Sequence, residues 1–197
     1  MKTFKKYLVF IIGLTLLGFG ISFGIKSGFG NNPMSVFVTG VALHLQLSVG
    51  TCNMLLGLLQ AGFGFVFERK NITFATLLVI FCGSCSIDLG NLLIPNSDVI
   101  LIRVLYMILG IFAYCFGFSL EQYAECGLGN YDCFIFGLGK ALNITDYAKI
   151  RWFCDGMFIV LGFLLGGVVG LGTVILVLFS GKLIIYLKSL ITKFFMK

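Results

Sequence analysis

Apolar runs follow one another from Tyr7 to Phe195, interrupted only by short polar segments. About 20 apolar residues carry a helix across the hydrocarbon core of a bilayer. Six stretches meet or approach that length: Tyr7–Ile25, Thr51–Phe67, Ile72–Ile94, Val99–Leu120, Ile150–Leu165 and Val168–Leu187. They predict an all-α polytopic membrane protein with six transmembrane helices. Two shorter stretches, Pro33–Leu45 and Tyr131–Leu142, each follow a Gly-rich turn. Segments of about 10–14 residues are more often re-entrant or interfacial than spanning. The pattern therefore predicts two short re-entrant or interfacial helices, with eight spans as the alternative.

The chain also resembles itself. A shift of 99 residues lays Gly28-Phe29-Gly30-Asn31 over Gly127-Leu128-Gly129-Asn130. The same shift gives 11 identities over the 46 positions from Ile12 to Gly57. A single membrane domain over residues 1–197 follows, with internal repeats at about 7–94 and 99–192. If the short helix of each half does not span, each half crosses three times and the two are inverted; if it spans, they are parallel.

Composition agrees with the pattern. Only 11% of residues are charged and 59% are hydrophobic, against roughly a quarter charged in soluble domains. The basic start, followed by the apolar stretch Tyr7–Gly24, has the look of a secretory signal, but further spans follow and it is read as an uncleaved first span. Net charge is +6. The cations flank spans, where Lys and Arg hold helix ends on the cytoplasmic side, so no nucleic-acid partner is expected. With six spans, Lys2, Lys5, Lys6, Arg69, Lys70, Lys140, Lys149, Arg151, Lys188, Lys193 and Lys197 share one face with both termini, opposite Lys26 and Arg103, while Lys182 lies near the end of the last span. The reading is a multi-pass cell-membrane protein with cytoplasmic termini.

Function is sought where polarity is costly. Unwound backbone at membrane depth survives only inside protein or beside a water-lined cavity. Short helices that begin there, at matching places in two halves, point to a midplane transport site. Substrate-binding candidates are thus Gly28, Gly30, Asn31 and Asn32 in the first half, and Gly127, Gly129, Asn130 and Asp132 in the second. The plainer alternative has the glycines making tight turns while Asn31 and Asn130 cap the short helices.

Ionisable residues inside spans form a second set of candidates, because charge there is expensive. Asp88 and Arg103 reach similar depths across a hairpin at Pro95, which predicts an ion pair; a cation- or proton-coupling role for Asp88 is the alternative. Arg151 and Asp155, spaced i, i+4, share a helix face and can pair; the alternative has Asp155, next to Gly156, pointing into the bundle. Glu121 and Glu125 have the same spacing and would repel each other; they are read as solvated at the interface, with a bound cation as the alternative. His44 is read as a polar cap.

Seven scattered cysteines read as small apolar packing groups. Cys82-Gly83-Ser84-Cys85 has redox spacing but lies within a predicted span. Glycines at 13, 18, 20, 24 and at 162, 166, 167, 170 let helices approach closely in lipid, within a bundle or across a homodimer. No catalytic Ser/His/Asp set, phosphate loop, metal cluster or cofactor motif appears, so an enzyme is not expected.

The second-half pattern Gly127-Leu128-Gly129-Asn130-Tyr131-Asp132, then Gly137-Leu138-Gly139 and Gly170-Leu171-Gly172-Thr173, resembles the bacterial YczE/YyaS membrane proteins. In that family a G-x-G-x-x-D turn and a G-hydrophobic-G-T turn recur in duplicated halves. The resemblance implies a polytopic cytoplasmic-membrane protein and supplies no substrate. The first half departs from it: Pro33 stands where Asp132 stands, and the later turn is blurred into Asn71-Ile72-Thr73-Phe74-Ala75-Thr76. A symmetric two-acid site is not expected. A small-solute transporter or permease-like protein is the leading expectation. A non-transporting accessory or regulatory protein, acting through a protein partner, is the second.

Overall fold

The computed structural model describes residues 3–195, which form eight helices. They are α1 (Thr3–Ser27), α2 (Pro33–Leu45), α3 (Val49–Phe67), α4 (Phe74–Leu93), α5 (Ile100–Ala124), α6 (Asn130–Ala141), α7 (Tyr147–Leu164) and α8 (Leu171–Phe195). Every predicted stretch is therefore a helix. Five of them, α1, α3, α4, α5 and α8, are long and apolar enough to cross a membrane. The sixth predicted span, α7, has 18 residues and carries Lys149, Arg151 and Asp155, which holds it below that standard.

Local chemistry sets several helix starts. Asn32 caps α2, its side chain accepting from the Ser35 N–H, and Pro33 opens the helix with a preset φ. Asn32, and not Asn31, is the cap on the first short helix. Ser48 caps α3 by accepting from the Thr51 N–H. Thr73 and Thr76 form a reciprocal capping box at the start of α4. Asp146 caps α7, and its contacts with the Lys149 side chain and N–H hold its carboxyl below the ordinary carboxylate range.

Large apolar side chains such as Leu59, Leu92, Leu101 and Phe163 are exposed, whereas Ser22, Gln60, Thr76 and Ser119 are buried. That inversion suits a lipid surround, in which polar groups must find partners inside the protein. Serine hydroxyls do so across helices: Ser22 donates to Ile87 O at 2.7 Å and Ser119 to Ile184 O at 3.1 Å.

Glycines fix the central packing. A Cβ on Gly13 would lie 2.8 Å from Gly117 O, and one on Gly110 would lie 2.9 Å from Gly24 N. The two long helices α1 and α5 thus cross closely and run antiparallel. Gly18 meets Ser86, and Gly90 meets Ser22, so α4 runs alongside α1 in the same direction. Gly57 approaches Asn130 and Gly64 approaches Cys133, which makes α3 and α6 parallel. Across the bundle α2 lies on α7, with Gly40 against Gly162 and Leu165. The packing is therefore paired: α1/α4 and α5/α8, α3/α6 and α7/α2. It breaks in one place, because α3 packs on α4 while α7 stands off from α8.

Candidate functional site

The two Gly-x-Gly-Asn turns each dock on the last helix of the opposite quartet. Gly30, at φ 89°, lies so close over Thr173 that a Cβ would overlap its hydroxyl oxygen; glycine is needed there for both conformation and space. The Asn31 N–H donates to Thr173 Oγ1 at 3.1 Å, and the Gly172 N–H donates to Phe29 O at 2.8 Å. On the other side Thr76 Oγ1 donates to Leu128 O at 2.8 Å. Thr76 thus occupies in α4 the place Thr173 occupies in α8, and Thr73-Phe74-Ala75-Thr76 does the work of a glycine-threonine turn without its glycines. The turns themselves differ, since Gly129 has φ −66° as the N-cap of α6 where Gly30 has positive φ.

From these turns both short helices begin inside the bundle, and a cavity of about 180 Å³ lies between their first residues. Its apolar wall comes from α1 through Leu14, Leu17 and Ile21. The π turn Val79–Gly83 of α4 contributes Val79 and Gly83; such turns recur at functional sites. Polar groups come from Asn32 and Asn53 in the first half, and from Glu121, Asn130, Asp132, Arg151 and Asp155 in the second. All the charge is thus supplied by α5, α6 and α7.

Arg151 Nη1 donates to Asp132 Oδ1 at 2.9 Å, and its guanidinium lies 5.3 Å from the centre of the Tyr131 ring. The Tyr131 hydroxyl donates to Asp155 Oδ1 at 2.6 Å. Arg151 and Asp155 accordingly do not pair with each other; both reach across to the first turn of α6, which outcompetes the i, i+4 partner. Asn130 does not cap α6 either. Its amide donates to Gln60 Oε1 at 2.6 Å, tying α6 to α3.

Glu121 departs furthest from the solvated position expected of it. It is 8% exposed and faces the cavity, and no hydrogen bond or ion pair reaches its carboxylate among the described residues. Glu125, a turn later, is an exposed left-handed C-cap. Only one of the two glutamates is therefore at a wetted surface.

The remaining candidates lie outside the cavity. Asp88 accepts from Ser48 Oγ at 2.6 Å and from the Gly50 N–H at 2.7 Å, anchoring the start of α3. Arg103 donates from Nε to Ser27 O at 2.8 Å and covers the Phe29 ring. No ion pair joins these two described residues, Asp88 and Arg103; similar depth in a hairpin did not bring them to the same face. Gly28 packs against Arg103, and Asn31 donates to Ile21 O at 2.7 Å, so both serve the turn. Gly127 lines a vestibule of about 400 Å³ that shares Glu121, Gly129 and Asp132 with the cavity and continues past Gln122, Glu125 and Lys188. His44 is exposed in the last turn of α2, and Cys85 is exposed in α4.

Helices of this length and hydropathy, polar inside and apolar outside, make the chain a polytopic membrane protein. It belongs to the DUF6198 family, described as a family of unknown function, which it matches over residues 4–189. It is 24% identical to an uncharacterized protein of Haemophilus influenzae over 192 residues, covering 96% of this chain and 86% of that one. It is 23% identical to the uncharacterized protein YyaS of Bacillus subtilis over 197 residues, covering 97% and 96%. With the uncharacterized membrane protein YczE of the same organism it shares 24% over 185 residues, covering 91% and 83%. The sequence resemblance to YczE and YyaS thus holds over nearly the whole chain. No solved structure matches it.

Proposed function

We propose that this chain is a small-solute transporter built from two inverted halves, with its site in the cavity between the starts of α2 and α6. The observation that carries this reading is the cavity itself: two short helices open onto one space that four charged side chains line. Charge inside a membrane is costly and is retained for pathways and coupling, and paired half-helices at a repeat interface are where transporters place their sites.

The helix directions support the inverted halves. With α1 and α4 parallel, the chain between them crosses once, through α3, and α2 re-enters. Because α6 is parallel to α3, it runs towards the face where α5 already ends, so it re-enters too, and α7 crosses despite its charges. The face where α1 begins and α5 ends then holds Lys5, Lys6, Arg69, Lys70, Lys140, Lys149, Lys188 and Lys193, against Lys26 and Arg103 opposite. Lys2 and Lys197 lie outside the described residues, and Arg151 leaves the flanking set because it serves the cavity. By the positive-inside rule that face is cytoplasmic, and the vestibule past Glu125 and Lys188 opens towards it.

The test needs no substrate. In a protein freed of its native cysteines, Ser180→Cys places one thiol on the cavity wall. A transporter exposes it to a membrane-impermeant maleimide from each face in turn, so labelling from either side is expected. Labelling from one face alone would mean no alternating access, and would favour the accessory-protein reading.

A further inference from the structure

We infer that the cavity binds a small protonated amine carrying an apolar group, an inference that rests on the cavity being a solute site. Three carboxylates line it, Glu121, Asp132 and Asp155, against the single guanidinium of Arg151. Arg151 is already engaged with Asp132 at 2.9 Å, and Asp155 has the Tyr131 hydroxyl at 2.6 Å. Glu121 has neither a hydrogen bond nor an ion pair among the described residues, although only 8% of it is exposed. A carboxylate that reaches a cavity without a protein partner gains from a cationic donor there.

The start of α6 would by itself attract an anion. That place is taken, because Asp132 sits in its first turn and Glu121 lies beside Gly129. An anionic solute would meet two carboxylates before any free N–H group. A cation meets in addition the rings of Tyr114, Phe118 and Tyr131 on the cavity wall, whose faces attract ammonium groups. The lining residues Leu14, Leu17, Ile21 and Leu176 are apolar and suit a hydrocarbon group. At about 180 Å³ the space is slightly larger than the roughly 150 Å³ that holds a benzene ring. Benzylamine has the size and polarity to fill it, with the ammonium on Glu121 and the ring on α1.

The test is calorimetric titration of the purified full-length protein in detergent with benzylammonium, benzyl alcohol and phenylacetate. Benzylammonium should bind, the two others should not, and Glu121→Gln should weaken binding at least tenfold. Asp88→Asn, which alters a carboxylate outside the cavity, should leave it unchanged. Selective binding of phenylacetate, equal binding of the alcohol, no binding of the amine, or an unaltered affinity in a folded Glu121→Gln protein would each overturn the inference. Amine binding with one-sided labelling of Ser180→Cys would uphold the cation site and reject transport. Two-sided labelling without amine binding would do the reverse.

Discussion

Gly117→Leu is expected to prevent the protein from folding, and Gly117→Ala to lower its melting temperature well below that of the native chain. The reason is the crossing of α1 and α5. A Cβ on Gly117 would sit 2.5 Å from Leu17 N and 2.6 Å from Gly13 O. These are backbone atoms of a long helix and cannot rotate aside, so the helices must separate. Overpacking a tight interior costs about 1–3 kcal/mol per small insertion, and here the separation also weakens the wall that holds Glu121. Gly181 is the control, because nothing lies within 4 Å of a Cβ built there. Gly181→Ala should melt like the native protein in a detergent thermal scan. Equal melting of Gly117→Ala and Gly181→Ala would refute the close crossing.

The second large effect concerns Arg151 and Asp132. Arg151→Gln leaves three carboxylates around the cavity with no compensating cation, and Asp132→Asn leaves Arg151 without its 2.9 Å partner. Breaking a fully buried pair costs about 3–5 kcal/mol. The side chains here are 43% and 28% exposed towards the cavity and its cleft, so a coupling of about 1–2 kcal/mol is expected after that discount. Each single variant should be destabilised, and the double Asp132→Asn/Arg151→Gln variant should recover part of the loss. Strict additivity would show that the two residues act independently. Arg151→Gln combined with Asp155→Asn should recover less, since Asp155 is held by Tyr131 and not by the guanidinium.

Much of the architecture was legible because lipid imposes a simple rule on composition. All eight helices appeared as apolar runs, and the short ones were marked by Pro33 and by the glycine turns before them. The side-chain partners were less legible, because they depend on how each helix is rotated about its axis. Asp88 and Arg103 share a depth but face different neighbours. Arg151 and Asp155 share a face, yet α6 brings Asp132 and the Tyr131 hydroxyl closer than they are to each other. Hydropathy placed the end of the fifth run at Leu120, one residue before Glu121, because a carboxylate ends an apolar window. The helix continues to Ala124, and the cavity that accommodates Glu121 is made by residues far away in sequence. Of the eight turn residues proposed for binding, Asn32, Gly129, Asn130 and Asp132 line the cavity, while Gly28, Gly30, Asn31 and Gly127 shape the turns. The exchange of turns between halves, Asn31 on Thr173 and Leu128 on Thr76, was hidden because Thr76 lacks flanking glycines.

The central claim is that two inverted halves send α2 and α6 back from the membrane interior. Gln46→Cys lies just after α2 and Arg69→Cys just after α3, so α3 separates the two, and position 46 is the outside one if α2 re-enters. With each introduced singly into a cysteine-free protein, the thiol at position 69 should react with an impermeant maleimide only from the cytoplasmic side, and the thiol at position 46 only from outside. Position 46 reacting from the cytoplasm and position 69 from outside would mean eight spans and parallel halves, contradicting both the topology and the site derived from it.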